Sequence, residues 1–425
     1  MIEGYKETQL GLIPSSWKLM SLEEINIPNS SISYGVVQPG PEDFNGIQFI
    51  RGGDIKEGKI SKDLRTISKA ISESYSRTLL KGGEILISLV GYPGECAVVP
   101  KSLKGANIAR QVGIIRLTEN NDKFFIRQYL SSPIGKKNLL GNLVGSAQQV
   151  INLNMLRKVQ IPLPSLPEQQ KIAEILSAVD DKIDVIDQQI IETQALKKGL
   201  MQRLLTKGIG HTEFKDSPLG MIPKSWEIVK CDSIADITSS KRVYLSDYTD
   251  FGIPFFRGKE ITQLAKGEKL NDLVYIKEDT FIEFKNRFGA PKEGDILITA
   301  VGTIGSIYMV NSTDNFYFKD GNLMWLRKID SRLNRQFITH YFRSIIFQNL
   351  IDIISSGSSQ KALTIVKFKL LPAVIPPLDE QKKISEILDC VYEKVSVLEE
   401  KKTYYQELKQ GLMQQLLKGK IRVKV

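Results

Sequence analysis

Histidine and cysteine are scarce in this chain, and their scarcity excludes whole classes of chemistry. Two histidines, His211 and His340, and three cysteines, Cys96, Cys231 and Cys390, lie far apart among 425 residues. No spacing among them would hold zinc. An odd, scattered set of cysteines is not a disulfide framework and points to a reducing compartment. Long apolar runs are missing as well; none approaches the ~18 residues that cross a bilayer. The opening "MIEGYKETQLG" has charges where a secretory signal needs an apolar core, so a cytoplasmic protein with no membrane partner is expected. There is no G-x-S-x-G elbow and no G-x-x-x-x-G-K-[ST] phosphate loop. The glycine-rich "GTIGS" of Gly302 to Ser306 sits in strand context and reads as a tight turn. No self-contained catalytic site is visible, and no metal site is expected.

What is present is apolar residues at 42%, charged residues at 25%, a net charge of +10 and a pI near 9.2. That is the composition of a folded chain, and its length calls for two or more domains. A basic balance favours a polyanionic partner, either nucleic acid or an acidic membrane surface.

The chain also contains itself twice. "PEQQKIAEILSAVDDKID" from Pro167 returns as "DEQKKISEILDCVYEKVS" from Asp379, and "QALKKGLMQRLL" from Gln194 returns as "QELKQGLMQQLL" from Gln406. "LGLIPSSWKL" at Leu10 matches "LGMIPKSWEI" at Leu219, "FIRGGDI" at Phe49 matches "FFRGKEI" at Phe255, and "GGEILISLVGYPG" at Gly82 matches "EGDILITAVGTIG" at Glu293. "GSAQ" at Gly145 matches "GSSQ" at Gly357. Matches in one order at a nearly constant offset mean a tandem duplication. Asp54, Glu57 and Lys59 in "GGDIKEGK" superficially resemble a nuclease metal triad. The second copy carries Glu260, Leu264 or a neighbour of it, and Lys266 there, so the triad is not kept and the segment reads as a loop or strand end.

Each copy has a first part of about 160 residues with short β-branched runs, such as "EILISLVG" and "DILITAVG", and helical patches near Asp122 and Asn334. A long helix follows. Pro167 suits a first helical turn, Ser165 with Glu168 fits a capping box, and Asp379 is the expected cap in the second copy. Apolar residues then repeat at heptad spacing. The seam is Ile172, Leu176, Val179, Ile183, Ile186, Ile190, Leu200 and Leu204 in one helix. In the other it is Ile384, Leu388, Val391, Val395, Leu398, Tyr405, Leu412 and Leu416. Thr193, Lys197, Lys402 and Lys409 interrupt it. Such a seam demands a partner helix, and the other copy supplies one.

Connectivity argues for antiparallel pairing. A helix of about 38 residues is roughly 57 Å long, and a parallel pair would force the second globular part to bridge that length, whereas short connections are the rule. The expected fold is α+β: two similar globular domains of mixed α/β structure, separated by two long helices in an antiparallel coiled coil, with pseudo-two-fold symmetry. The expected boundaries are residues 1–164, 165–208, 209–376 and 377–425.

These features resemble the specificity subunits of type I restriction–modification enzymes. The resemblance rests on the "LG-x-IP-x-SW" openings at Leu10–Trp17 and Leu219–Trp226, and on the closings "LPEQQKIAEIL" and "LDEQKKISEIL". The Arg51-Gly52 and Arg257-Gly258 strings also belong to it, and it spans essentially the whole chain. One departure is Asp379 in place of a usual proline. The resemblance implies two target recognition domains, each reading one half of a bipartite, asymmetric double-stranded DNA sequence, and helices that set the spacer and dock two modification (methyltransferase) subunits. It implies partners that methylate adenine N6, and restriction subunits that translocate and cleave. S-adenosylmethionine, ATP and Mg would sit in those partners, with no cofactor and no catalysis here. The NPP[YF] tetrapeptide of methyl transfer is absent.

Base selection needs amides or guanidiniums at major-groove edges. The candidates are Arg51, Arg110, Gln111, Gln148 and Gln149 in the first domain, and Arg257, Lys319, Asn322 and Gln360 in the second. Arg51/Arg257 and Gln148/Gln360 recur in both copies, and a residue shared by both domains cannot explain different half-sites. Rival readings are a self-sufficient methyltransferase or nuclease, a free-standing nucleic-acid-binding regulator, and a coiled-coil hook; basic charge and two elaborated domains argue against the last.

Overall fold

A computed structural model describes residues 3–141, 150–356 and 361–424. The chain folds as two compact units: Met1–Gln188 together with Glu399–Val425, and Gln189–Leu398. The first is discontinuous in sequence because the final part of the second long helix is built into it.

In the first unit the "EILISLVG" run forms a strand, Ile85–Ser88, with every residue buried. It lies inside a four-stranded antiparallel sheet in the order Cys96–Val98, Ile85–Ser88, Val112–Ile115, Ser33–Tyr34. An interior strand covered on both faces needs an unbroken apolar run. A second sheet places Ile47–Ile50 between Arg65–Ile67, antiparallel, and Asn107–Ile108, parallel. A two-stranded ladder, Lys18–Ser21 with Gln160–Leu163, joins the start of the domain to the approach of the long helix.

The second unit repeats this plan. Its four-stranded sheet runs Asp236–Thr238, Leu323–Arg327, Ile296–Thr299, Ile307–Met309. Ile253–Phe256 again pairs parallel to a short strand, Tyr317–Phe318, and Glu227–Lys230 pairs with Pro372–Ile375. "GTIGS" is the tight turn between Ile296–Thr299 and Ile307–Met309, with Gly302 at φ 78° and Gly305 at φ 82°.

The two long helices are Leu166–Lys207 and Leu378–Leu416. Within the first unit Glu168 pairs with Arg422 at 2.6 Å, Asp180 with Lys409 at 2.5 Å and Asp187 with Lys402 at 2.6 Å. Numbers rise along one helix as they fall along the other, so the pair is antiparallel. Within the second unit the Tyr392 hydroxyl donates to Met201 at 3.4 Å, and Glu380 accepts from the Ile209 amide at 2.9 Å, the same reversed order. Every seam residue from Ile172 to Leu204 and from Ile384 to Leu416 is buried or half-buried. The fold is the expected α+β arrangement with an antiparallel helix pair. At their ends the helices pack beyond the heptad seam: Leu205, Met413 and Leu417 enter the globular cores.

The caps differ from expectation. The Glu168 carboxylate does not close a capping box with Ser165; Arg422 binds it through Nε at 2.6 Å and Nη2 at 2.9 Å. Asp379 lies inside the first turn, exposed, because the helix already begins at Leu378. The neighbouring glutamine explains the rest of the motif. Gln169 donates to the Pro164 carbonyl and accepts from the Asp122 amide, which starts the Lys123–Ser131 helix. Gln381 does the same with the Pro376 carbonyl and the Asn334 amide at Arg335–Arg343. "EQ" is therefore a scaffold clamp in both units.

Candidate nucleic-acid interface

The Arg-Gly strings form the same device twice. After Ile47–Ile50, Arg51 caps a 3-10 turn, Gly52–Asp54. The Arg51 backbone N–H donates to Asp54 at 2.7 Å, and Nε and Nη2 bond the same carboxylate at 3.0 Å each. After Ile253–Phe256, Arg257 caps the helix Gly258–Ala265. Its backbone N–H meets Glu260 at 2.7 Å, with Nε and Nη2 at 3.2 and 2.6 Å. Glu260 is fully buried. Burial pushes its carboxyl pKa up, but the Arg257 hydrogen bonds outweigh this and hold it below the ordinary value. A planar guanidinium bound on two edges keeps a fixed orientation. Arg51 and Arg257 thus serve first as anchors of a turn, while Arg51 keeps its side chain 48% exposed.

Beside this turn runs the chain that follows the parallel strand. The Leu89 amide donates to the Gln111 carbonyl at 2.8 Å, and the Ala300 amide donates to the Asn322 carbonyl at 2.8 Å. Gln111 and Asn322 therefore hold equivalent places. Gly52 is packed close there: a Cβ would come within 2.8 Å of the Ser88 hydroxyl, 3.0 Å of the Val90 carbonyl and 3.6 Å of the Gln111 Cβ. Gly258 is looser, with the Val301 carbonyl 3.7 Å away.

In the second unit these elements border an open groove of about 570 Å³ that brings Arg257 and Asn322 together with Lys259, Gln263, Lys266 and Thr303. Lys319 lies just before Asn322, half-exposed, its backbone N–H donating to Phe256 at 2.9 Å, and it is not part of the groove wall. In the first unit Arg110 and Gln111 are both exposed. Gln148, Gln149 and Gln360 lie outside the described residues. Asp54 is held by Arg51, and Lys59 pairs with Asp184, so the superficial metal triad is taken up by ion pairs. Among the described residues no group of three or more His, Cys, Asp or Glu is arranged around a metal position. No helix among them is long and apolar enough to cross a membrane.

Sequence reasoning missed Lys259, Gln263 and Lys266. The signal was available: after the shared "RG" the first copy continues "GDIKEGK" and the second "KEITQLAKGEK". The first folds as the 3-10 turn and a hairpin, Ile55–Lys56 with Lys59–Ile60. The second folds as a helix.

Residues 15–194 and 223–409 each match the type I restriction modification DNA specificity domain. The chain is 28% identical over 434 residues to the type I restriction enzyme MjaVIII specificity subunit of Methanocaldococcus jannaschii, covering 99% of this chain and 97% of that one. Its fold resembles that of a type I restriction–modification S subunit from M. genitalium, with TM-score 0.57, 13% identity and coverage of 94% and 96%. A second structure, described under complex assembly and conformational transition of the type I R-M system, matches with TM-score 0.57 at 18% identity over 96% of this chain and 99% of its own. With both copies matched and relatives aligned nearly end to end, the chain belongs to the type I restriction–modification specificity subunits and carries two target recognition domains.

Proposed function

We propose that each recognition domain binds one half of a bipartite, asymmetric DNA target, and that the antiparallel helices fix the unread spacer and dock two methyltransferase subunits. The chain performs no catalysis and holds no cofactor. S-adenosylmethionine, ATP and Mg act in partners that methylate adenine N6 and, where restriction subunits join, translocate and cut DNA; the assembly works in the cytoplasm. The observation that carries this reading is the Arg-anchored turn that recurs with the same geometry in both units while the segment after it differs. A fixed frame with variable flanks suits two readers of unlike sequences, and a net charge of +10 suits phosphate contacts that give salt-dependent affinity.

Methylome sequencing of cells carrying the complex tests it. Exchanging residues 211–376 for a homologous domain is expected to change one half-site and leave the other. Deleting one heptad from both helices is expected to shorten the spacer and keep both half-sites. Altered half-sites in the deletion, or an unchanged spacer, would count against the reading.

A further inference from the structure

The groove in the second unit is bordered by the helix Gly258–Ala265, whereas among the described residues of the first unit a hairpin follows the equivalent turn. Arg257 and its glutamate are common to both units in kind, so they cannot account for a difference in what the two domains read. The side chains that differ are those on the helix. Lys259 is exposed and has no partner among the described residues; Lys266 is exposed and faces Glu268 at 3.9 Å. Gln263 is half-buried, and its Oε1 is shielded from solvent with no hydrogen-bond partner.

An unpaired buried carboxamide oxygen is destabilising, and proteins leave few of them. Among the described residues no hydrogen bond holds the Gln263 amide, so a rotation of the side chain that brings the shielded Oε1 out into the groove breaks none. A carboxamide offers one donor face and one acceptor side by side. In the major groove adenine presents the complementary pair, the N7 acceptor and the N6 donor, whereas guanine presents two acceptors. Asn322, a second carboxamide, lines the same groove. Lysines placed on either side of such an amide, at Lys259 and Lys266, suit the phosphates that flank a read base.

Resting on the reading above that this domain binds half of a DNA target, we infer that the groove takes the major-groove edge of an A·T base pair. Gln263 pairs with adenine N6 and N7, and Lys259 and Lys266 hold the adjoining phosphates. The test is selection of bound duplexes from a random-sequence pool by the full chain, followed by sequencing of the enriched duplexes. Wild type is expected to enrich a two-part motif. Gln263→Glu is expected to lower the preference for adenine at one position of one half about tenfold or more, since a carboxylate accepts but does not donate. Lys266→Ala is expected to weaken binding to all duplexes alike without moving the motif, and to reduce the salt slope by about one. Circular dichroism establishes that both variants are folded, and Gln263→Ala replaces Gln263→Glu should the latter fail to fold. A motif unchanged in the Gln263 variants, or weakened evenly as with Lys266→Ala, overturns the assignment of Gln263 and leaves the broader reading standing. Failure of wild type to enrich any two-part motif overturns both.

Discussion

Gln128 in the first unit and His340 in the second occupy the same place, six residues past the caps Asp122 and Asn334 of equivalent helices. Both are buried, and each reaches a carboxylate on a long helix, but by different chemistry. Gln128 donates to Asp180 at 2.7 Å, where Arg127 at 3.3 Å and Lys409 at 2.5 Å complete a hydrogen-bonded ion cluster. His340 meets Asp389 at 2.7 Å through Nε2, leaves Nδ1 without a partner, and lies 5.2 Å from the Tyr392 ring. Lys197, the counterpart of Lys409, sits 4.0 Å over that same ring. Duplication kept the helix crossing and let the polar filling diverge. What is held fixed is backbone geometry: each filling keeps one bond to a carboxylate of the long helix, and each leaves one buried polar atom, Gln128 Oε1 or His340 Nδ1, without a partner.

The two units are expected to differ most at the glutamates that begin the long helices. Glu380 accepts from the Trp226 indole at 3.0 Å and the Ile209 amide at 2.9 Å, and contacts His211 at 2.8 Å. Glu168 meets the guanidinium of Arg422, whose side chain is 47% exposed. Glu380→Ala strands the buried Trp226 indole N–H and removes the partner of the Ile209 amide and of His211, and is expected to cost about 2–4 kcal/mol in urea denaturation. Glu168→Ala lets Arg422 rehydrate, and about 1 kcal/mol is expected. Equal losses would mean that the two junctions are energetically alike.

Next come the paired glycines. Gly52→Ala, crowded by the Val90 carbonyl, is expected to destabilise by about 1–3 kcal/mol. Gly258→Ala has room in a helix and is expected to be neutral or stabilising by less than about 1 kcal/mol. Thermal melting of both variants checks the pair.

The smallest expected effect is on pH dependence. Burial lowers the His340 pKa; Asp389 opposes this, and Arg343 and Lys197 add to it. The unfolded chain therefore holds the proton more tightly than the folded one. The stability His340 contributes is present above its unfolded pKa of about 6.5 and is lost as pH falls below it. His340→Gln, which copies the first unit, is expected to flatten that acid limb. Stability that rises on acidification would instead show that Asp389 holds the imidazolium.

The repeated strings carried most of the fold in plain view. Heptad spacing and connectivity were enough for antiparallel helices, and the buried runs at Ile85 and Ile296 were legible as strands because they are short, apolar and bounded by glycine. The candidate interface was legible in part. Arg51 and Arg257 stood out by recurrence, and that recurrence reflects a turn anchor formed with Asp54 and Glu260. Gln263 did not stand out: the unlike continuations after the shared "RG" mark the segment as divergent, but no local pattern tells which of its side chains line a groove.

By itself the sequence determined the duplication, the basic character and the helix pairing, since periodicity and internal repeats are properties of order along the chain. Tertiary structure alone decided what covers the glutamates, which glycine is crowded, and which amide is left without a partner. Those outcomes depend on atoms brought together from positions as distant as Glu168 and Arg422, and no local pattern encodes the distance between them.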